Sequence, residues 1–333
     1  MTATPQNSTV QQGESMDPVL PAVQVNLVRP TAPVVGRVVS NELCTRAGRK
    51  AAGFVRHVAI DVSGTPLAGS FVAGQSFGVL PPGKDERGRP NKLRLYSISS
   101  PTAGEDGTGN ILSTTVKRLL DERWEDNTLY RGVCSNYLCD SKPGDEILIT
   151  GPSGKRFVLP ENPGSHDYIF IATGTGIAPF RGMIADLLSS GTKSQIVLVM
   201  GTPYATDLLY DSALTALAEK HANFRYITAI SREVQADVNK PLYVQDRIAH
   251  DPAGTGTGSL TDMLGSQRSL VYICGLAGME LGVFRAIYAA LGRSGAEPLL
   301  SVADEAAQDP GSWTRRMINR QIKPSRRVFL EVY

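Results

Sequence analysis

The stretch Tyr168-Ile-Phe-Ile-Ala-Thr-Gly-Thr-Gly176 joins an uninterrupted apolar run to a glycine-rich turn, and the helical pattern Ala178–Leu188 follows it. A short run of this kind is typical of a strand that is buried on both faces of a parallel sheet. Three further apolar runs lie downstream, at Ile196–Met200, Arg225–Ile230 and Leu270–Ile273. Because helical patterns occur between these runs, the sequence predicts a doubly wound parallel sheet.

The remaining elements of this half follow from the same periodicity. Helices are predicted over Ser212–His221, Tyr243–Ala249 and Met279–Leu291, and a last strand over Val328–Tyr333. The composition changes near residue 157, so the α/β domain is predicted to occupy residues 158–333.

The preceding half of the chain has a different residue pattern. Short segments rich in β-branched residues alternate with Gly, Pro and polar breaks, which is typical of antiparallel strands. The strands are predicted at Val34–Ser40, Phe54–Val62, Ser70–Leu80, Lys92–Ser100, Ile111–Val116 and Asp145–Thr150. Many short strands with little helix predict an antiparallel β-barrel or sandwich over residues 34–157. Residues 1–33 are rich in Gln, Ser, Thr and Pro and are predicted to form a disordered tail.

Composition limits the classes of function. A length of 333 residues predicts two domains, and a formal net charge of +2 gives no bulk signal for nucleic acid or a membrane surface. No apolar run reaches the roughly 18 residues of a membrane-spanning helix. The four cysteines and four histidines have neither metal-ligand nor disulfide spacing. We therefore predict a cytoplasmic protein with no metal site, no nucleic-acid partner and no membrane span.

Glycines and small polar residues follow most of the apolar runs in the second half of the chain. The runs end in Thr173-Gly-Thr-Gly176, Gly201-Thr202, Ser231-Arg232 and Cys274-Gly275. The carboxyl ends of parallel strands share one edge of the sheet, where ligands bind, and glycines there let backbone N–H groups approach a phosphate. NAD sites usually have an acidic residue near the ribose 2′-hydroxyl, whereas an Arg at this place accommodates a 2′-phosphate. Arg232 therefore favours NADP over NAD.

Seven motifs occur in order along the chain. They are Arg94-Leu-Tyr-Ser-Ile-Ser-Ser100, Gly132-Val-Cys-Ser-Asn-Tyr-Leu-Cys-Asp140, Ile149-Thr-Gly-Pro152, Ala172-Thr-Gly-Thr-Gly-Ile-Ala-Pro-Phe-Arg181, Ser231-Arg-Glu233, Cys274-Gly-Leu276 and Glu331-Val-Tyr333. Together they resemble plant-type ferredoxin–NADP⁺ reductase over residues 29–333. The resemblance implies an FAD-binding barrel domain followed by an NADP(H)-binding α/β domain. It also implies FAD-mediated electron transfer between NADP(H) and ferredoxin or flavodoxin, with hydride transfer at flavin N5.

The resemblance assigns the flavin side of the site. Arg94 would pair with the FAD pyrophosphate, Tyr96 would stack on the isoalloxazine ring, and Ser97 would lie near N5. The other residues implied in FAD binding are Leu95, Lys117, Gly132, Val133, Cys134 and Ser135. Tyr333 would cover the second face of the flavin until the nicotinamide displaces it.

The resemblance also places NADP(H) at the strand ends of the α/β domain. Ser231, Arg232 and Tyr243 would bind the 2′-phosphate and the adenine of the coenzyme. The other residues implied in NADP(H) binding are Thr173, Gly174, Thr175, Gly176, Gln245 and Gly275. Cys274 would face the nicotinamide and Glu331 would support proton movement. The implied catalytic residues are Ser97, Cys274, Glu331 and Tyr333.

Three positions depart from the family pattern. Asp121 stands where the family often stacks a Tyr on the FAD adenine, which leaves Trp124 or Tyr130 to make this contact. Lys240 lies one residue further from Tyr243 than the Lys that the family uses as a phosphate ligand. Ala277 replaces a Lys that the family associates with the partner surface.

Local charge predicts an acidic electron-carrier partner. Six basic residues and no acid lie between Asp309 and Glu331, and the loop Lys84–Lys92 adds Arg87 and Arg89. Ferredoxins and flavodoxins are acidic, so basic surfaces near the flavin edge would attract them. Two alternatives stay open from the sequence, namely the reductase component of an oxygenase and a flavin-binding subunit without turnover.

Overall fold

Antiparallel strands build the first half of the protein, in a computed structural model that describes residues 16–45 and 55–333. In chain order these elements are β1 (Val34–Leu43), β2 (Val55–Asp61), β3 (Ser76–Leu80), β4 (Arg94–Ser97), β5 (Ile111–Lys117), β6 (Leu120–Glu122), β7 (Leu129–Arg131), α1 (Val133–Asp140) and β8 (Glu146–Ser153). Six strands form one antiparallel sheet in the order β4-β3-β8-β1-β2-β5. A bridge between Ile98 and Thr114 joins its two edges, so the sheet is barrel-like.

The interior of this barrel-like sheet is apolar. Val58, Ile60, Phe77 and Ile149 are fully buried in one cluster, because alternate side chains of each strand point inward. Helix α1 adds Leu138 to the same cluster. Strands β6 and β7 form a separate two-stranded hairpin. The predicted strand over Ser70–Leu80 is shorter in the structure, where β3 begins only at Ser76.

The second half alternates strands and helices, as predicted. Its elements are β9 (Asp167–Thr173), α2 (Ile177–Ser189), β10 (Ile196–Thr202), α3 (Asp211–Lys220), β11 (Phe224–Ile230), α4 (Leu260–Gly265), β12 (Ser269–Gly275), α5 (Met279–Ala296), β13 (Leu300–Val302), α6 (Asp304–Gln308), β14 (Ile322–Pro324) and β15 (Val328–Val332). Five strands form a parallel sheet in the order β11-β10-β9-β12-β15. The helix predicted over Tyr243–Ala249 is instead a 3₁₀ turn over Val244–Ile248.

Both faces of the parallel sheet are buried, which explains the uninterrupted apolar runs in the sequence. In β9, Ile169 and Ile171 pack on the side of α4 and α5, whereas Tyr168 and Phe170 pack on the side of α2. The sheet therefore forms the middle layer of three, and the carboxyl ends of its strands share one edge.

Residues 16–33 pair with the body of the protein. Val28 is buried and forms a bridge with Gly151, and the Val19 carbonyl accepts a hydrogen bond of 2.9 Å from the Glu161 N–H. The predicted disorder therefore does not hold for residues 16–33, because their backbone groups find partners that local sequence patterns do not reveal. Residues 1–15 lie outside the described part of the chain. The domain boundaries near residues 33 and 157 stay predictions.

A polar cluster joins the two sheets, and we call its four main residues, His57, Glu105, Arg181 and Tyr210, the interdomain seam. Arg181 of α2 donates hydrogen bonds of 2.6 and 3.1 Å to the Glu105 carboxylate. Nε2 of His57 lies 3.4 Å from the same carboxylate, and Nδ1 lies 2.9 Å from the Tyr210 hydroxyl. Burial alone would raise the pKa of Glu105, but hydrogen bonds from His57 and Arg181 lower it to about 2. The seam fixes the barrel-like sheet against α2.

Candidate active site

A cavity of about 1010 Å³ opens where the barrel-like sheet meets the carboxyl edge of the parallel sheet. We call it the main cavity. Its volume lies at the upper end of the roughly 300–1,000 Å³ of small-molecule sites, so it can hold a large ligand. The predicted site residues that line it are Arg94, Leu95, Tyr96, Ser97, Lys117, Gly132, Val133, Cys134, Ser135, Thr175, Glu331 and Tyr333. The structure therefore gathers residues that lie more than 200 positions apart in the sequence.

Strand β4 forms one wall of the main cavity. It pairs with β3, and this pairing holds Arg94 and Tyr96 on the cavity side. The Tyr96 hydroxyl interacts with the Cys134 thiol of α1, and this thiol donates a hydrogen bond of 3.9 Å to the Val79 carbonyl. Burial raises the pKa of both groups above their usual values. Tyr96 is therefore a neutral ring in a fixed position.

The N-terminus of α1 points into the same cavity. Its first residues, Gly132 to Ser135, line the wall, and no side chain among the described residues caps this end. A helix leaves its first N–H groups without intrahelical partners, and its dipole is positive there. The exposed Arg94 and Lys117 add positive charge nearby. This wall can bind an anionic group such as a phosphate.

Glu331 enters the cavity from β15. Its Oε1 accepts a hydrogen bond of 3.4 Å from the Ser76 hydroxyl of β3, and its buried Oε2 has no hydrogen-bond partner among the described residues. Burial raises the pKa of Glu331 to about 7, although the bond from Ser76 acts in the opposite direction. This carboxyl group can take up or release a proton near neutral pH.

Tyr333 lies at the mouth of the main cavity. Its hydroxyl is 2.6 Å from the hydroxyl of Thr175, in the turn after β9, and its backbone N–H donates to the Gly275 carbonyl at 3.0 Å. The residue is nevertheless 60% exposed. The ring is held by one side-chain hydrogen bond on an open surface, so it can move aside at small cost.

Cys274 does not line the main cavity. It pairs in register with Glu331 between β12 and β15, and its side chain is fully buried in the core. Burial, and then the charge of Glu331, raise the pKa of the thiol well above its usual range. Cys274 is therefore a neutral thiol beneath the site surface, rather than a group that is open to solvent.

The glycines at the strand ends are explained by close approach of two backbones. A Cβ atom at Gly176 would lie 2.1 Å from the Cys274 carbonyl oxygen, and one at Gly275 would lie 2.2 Å from Oγ1 of Thr173. The same Oγ1 accepts a hydrogen bond of 3.0 Å from the Leu276 N–H. Larger side chains at these glycines would force the end of β12 away from the turn after β9.

A second cavity of about 70 Å³ lies beside the first along the strand ends. Lys117 and Thr175 line both cavities, and Gly174 and Thr202 line only the second. The two spaces together form a path from the main cavity towards the carboxyl end of β10. An elongated ligand could follow this path.

The residues predicted to bind the coenzyme 2′-phosphate lie further along the same edge and line neither cavity. Ser231 donates its N–H to the Thr202 carbonyl at 3.0 Å, and the Arg232 guanidinium lies 5.9 Å from the centre of the Tyr204 ring. Tyr243 is exposed, and Gln245 packs against α5 at Gly282. The Nζ atom of the displaced Lys240 lies 2.9 Å from Nε2 of His250.

Sequence reasoning missed several cavity residues, among them Ser76 and Leu119. Ser76 pairs in register with Ser97, so a correct β3–β4 alignment would have found it. Within the described ranges there is no group of three His, Cys, Asp or Glu residues that could hold a metal ion. Those ranges also contain no helix with the length and apolarity needed to cross a membrane.

Comparison with known proteins connects this geometry to a family of enzymes. Residues 170–284 match the oxidoreductase NAD-binding domain family. The ferredoxin–NADP reductase of Thermosynechococcus vestitus is 38% identical over 281 residues, which cover 83% of this chain and 70% of that protein. The Spirulina sp. enzyme of that name is 38% identical over 277 residues, with 81% and 91% covered. The chloroplastic leaf isozyme 1 of Arabidopsis thaliana is 37% identical over 267 residues, with 78% and 71% covered.

Solved structures show the same fold. The ferredoxin–NADP⁺ reductase of Plasmodium falciparum superimposes with a TM-score of 0.67 at 23% identity, and the match covers 92% of this chain and 99% of that one. A structure of the same protein with 2′P-AMP gives a TM-score of 0.63 at 22% identity, with the same coverage. These matches extend over both sheets of the present protein.

Proposed function

This chain belongs to the ferredoxin–NADP reductase family, and we propose that FAD and the nicotinamide of NADP(H) meet in its main cavity. The protein is an oxidoreductase that uses FAD and NADP(H) and exchanges electrons with ferredoxin. One observation carries the proposal for the site. A single cavity is lined by β4, by the free N-terminus of α1, and by Glu331 and Tyr333 of the parallel sheet.

The residues present fit FAD in three respects. The cavity of about 1010 Å³ is large enough for an extended dinucleotide. The uncapped N-terminus of α1, with Arg94 beside it, suits a diphosphate group. Tyr96 and Tyr333 offer aromatic walls for a flat ring system. When bound, FAD supplies hydride exchange with NADP(H) and one-electron exchange with the carrier protein.

Tyr333 controls access to this space. While its hydroxyl is bonded to Thr175 at 2.6 Å, the Tyr333 ring occupies part of the mouth of the main cavity. A nicotinamide ring can enter only when this ring moves aside, which frees the Thr175 hydroxyl to bond elsewhere. Hydride transfer requires close, parallel rings in a site from which water is largely excluded.

Glu331 and Ser76 form the proton-handling part of the site. Because the pKa of Glu331 is about 7, the carboxyl group can hold a proton on Oε2 or release it at physiological pH. Ser76 fixes the other oxygen, Oε1. A general acid or base works best when its pKa lies near the working pH, so this position suits proton transfer coupled to electron transfer.

Ser231 and Arg232 select the coenzyme. Both follow β11, at the edge where the nucleotide of the coenzyme would lie. The exposed guanidinium of Arg232 lies 5.9 Å from the centre of the Tyr204 ring and can pair with a 2′-phosphate through charge-assisted hydrogen bonds. Preference for NADPH over NADH should therefore fall in an Arg232→Ala variant, measured as the ratio of kcat/KM for the two coenzymes. An unchanged ratio would contradict this assignment.

The basic segment after Asp309 supplies part of a docking surface for ferredoxin. Arg327 does not belong to this surface, because it is buried and donates to the Gln267 carbonyl at 2.6 Å. Arg315 is bonded to Glu280 at 2.7 Å, which neutralises part of its charge. The exposed members Arg316, Arg320, Lys323 and Arg326 keep the charge that attracts an acidic partner.

Neither alternative function is favoured by the relatives, which are named as reductases of ferredoxin. An intact arrangement of Glu331, Ser76 and Tyr333 would also serve no purpose in a subunit without turnover. We place the protein in the cytoplasm, since its four cysteines are unpaired thiols, as a reducing compartment requires. Fractionation of source cells tests this placement.

The direct test of function is NADPH-driven reduction of cytochrome c by the purified flavoprotein, with and without added ferredoxin. The proposal predicts bound FAD and a rate that rises with ferredoxin concentration. A rate with artificial acceptors but no response to ferredoxin would support an oxygenase reductase. Protein without flavin and without activity would overturn the proposal.

A further inference from the structure

The turn that follows β12 holds the backbone of Tyr333. The Tyr333 N–H donates to the Gly275 carbonyl at 3.0 Å, and the Ala277 N–H donates to the Tyr333 carbonyl at 2.9 Å. Leu276, between these two partners, lines the main cavity. We call residues Gly275–Gly278 the β12 turn. The place of Tyr333 at the cavity mouth therefore depends on where this turn lies.

A buried carboxylate holds the far end of the β12 turn. Oε2 of Glu280, in the first turn of α5, accepts a hydrogen bond of 2.6 Å from the Gly278 N–H. Gly278 has a φ of 105°, in the region that favours glycine. Glu280 is only 2% exposed, so it fixes this end of the turn from inside the protein.

Arg315 reaches the same carboxylate from the basic segment after Asp309. Its Nε donates to Oε1 of Glu280 at 2.7 Å. A Cβ atom at Gly278 would lie 3.9 Å from Cδ of Arg315, so the Arg315 side chain also packs against the β12 turn. Within residues 16–45 and 55–333, Arg315 is the only cation that forms an ion pair with Glu280. A buried carboxylate is costly without such a partner, so Arg315 stabilises the group that holds the turn.

We propose that Arg315 and Glu280 form a positioning pair that keeps Tyr333 seated at the mouth of the main cavity and thereby opposes entry of the nicotinamide. The inference rests on the proposed function, because NADP(H) must displace the Tyr333 ring. The ring itself has one side-chain hydrogen bond, to Thr175, so its seated position also requires a fixed backbone. The positioning pair supplies this fixed backbone through the β12 turn.

The test compares two ligands of the purified flavoprotein by titration calorimetry. 2′P-AMP carries the adenine and the 2′-phosphate of NADP⁺ but no nicotinamide, so it does not compete with Tyr333. Arg315→Ala should lower the Kd for NADP⁺ about fivefold, the effect of one lost hydrogen bond on the seated state, and leave the Kd for 2′P-AMP unchanged. Glu280→Gln should have the same effect on both ligands.

These two substitutions change the net charge in opposite directions. Loss of Arg315 alone would weaken the attraction of an anionic coenzyme, so tighter binding in both variants cannot come from charge. Arg315→Lys keeps a cation beside Glu280 and should bind NADP⁺ more nearly as the wild type does. Arg293→Ala is the matched control, because it breaks another ion pair of α5, that with Asp304, and it should change neither Kd.

A Tyr333→Gly background shows whether the effect passes through the terminal ring. Without the ring, Arg315→Ala should produce no further change in the Kd for NADP⁺. An equal fivefold change in this background would overturn the inference. Unchanged or weaker NADP⁺ binding in Arg315→Ala, or an altered Kd for 2′P-AMP, would also overturn it. Failure of the wild-type protein to bind NADP⁺ would overturn the proposed function itself, and this outcome is visible before any variant is made.

Discussion

Two partly buried carboxylates in this molecule have opposite properties. Glu105 in the interdomain seam receives hydrogen bonds from Arg181 and from Ser113, and its pKa is held at about 2. Glu331 in the main cavity has one long hydrogen bond from Ser76, its Oε2 has no partner within residues 16–45 and 55–333, and burial raises its pKa to about 7. The difference shows that the surrounding donors, and not burial itself, decide whether a carboxylate is structural or chemically active.

The two groups also contribute to stability in opposite pH ranges. The pKa of Glu105 is below its usual value of 4.5, so its contribution is present above about pH 4.5 and is lost as the pH falls towards about 2. The pKa of Glu331 is above that value, so its ionisation costs stability as the pH rises from about 4.5 through about 7. The carboxylate of the seam is thus stabilised by its hydrogen-bond partners. The main cavity instead contains a carboxyl group whose ionisation is unfavourable and which can exchange a proton during the reaction.

The largest expected effect is that of Glu331→Gln, which should lower turnover without lowering the free energy of unfolding. Replacing Glu331 by Gln removes the group that exchanges a proton near neutral pH, so ferredoxin-dependent turnover should fall about 100-fold, as for loss of a general acid or base. The free energy of unfolding should stay the same or rise slightly, because an unpaired buried carboxylate is removed. Steady-state kinetics and urea unfolding measure the two quantities. Turnover equal to that of the wild type would remove Glu331 from the mechanism.

The reverse pattern is expected for Glu105→Gln. Breaking a buried ion pair costs roughly 3–5 kcal/mol, and the Glu105 side chain is 22% exposed, so we expect a loss of about 2 kcal/mol in unfolding free energy. Turnover below the unfolding transition should stay near the wild-type value, since Glu105 does not line the main cavity. If this variant lost activity as severely as Glu331→Gln does, the division between the two regions would be wrong.

A smaller loss is expected at Tyr210, whose hydroxyl lies 2.9 Å from His57 and 2.6 Å from Thr115. Tyr210→Phe removes these hydrogen bonds and should lower the unfolding free energy by about 1 kcal/mol. Tyr288→Phe, which changes a tyrosine outside the seam, serves as the control in the same urea titrations. Equal losses in both variants would show that the Tyr210 hydroxyl has no special role.

The smallest effect concerns Ser76. Its hydrogen bond favours the ionised form of Glu331, so Ser76→Ala should shift the pKa of Glu331 upward, by less than about one unit. The pH profile of ferredoxin-dependent turnover should move in the same direction. A shift to lower pH would mean that Ser76 does not act on Glu331 through this bond.

Local patterns predict the parallel sheet better than the cavity wall. The run Ile196–Met200 is buried on both faces, so its apolar sequence alone marks strand β10, which the structure extends to Thr202. Helix α1 has no acidic residue in its first turn and no side-chain cap, so no helix-start signal marks it.

The contacts between distant residues were not visible in the sequence. Ser76 and Glu331 lie 255 positions apart, and their side chains meet only where the barrel-like sheet adjoins the parallel sheet. The seam depends in the same way on the packing of α2 against the barrel-like sheet. Trp124 and Tyr130 were both left as candidates, because hairpin register is set by pairing and not by composition.

Carbon-13 NMR of glutamate carboxyl groups in the purified flavoprotein tests the central contrast most directly. A pH titration of protein labelled at these carbons, with the two signals assigned from Glu331→Gln and Glu105→Gln, reads each pKa separately. The account predicts a midpoint near pH 7 for Glu331 and a Glu105 signal that stays ionised down to about pH 2. Midpoints near the usual 4.5 for both residues would contradict it.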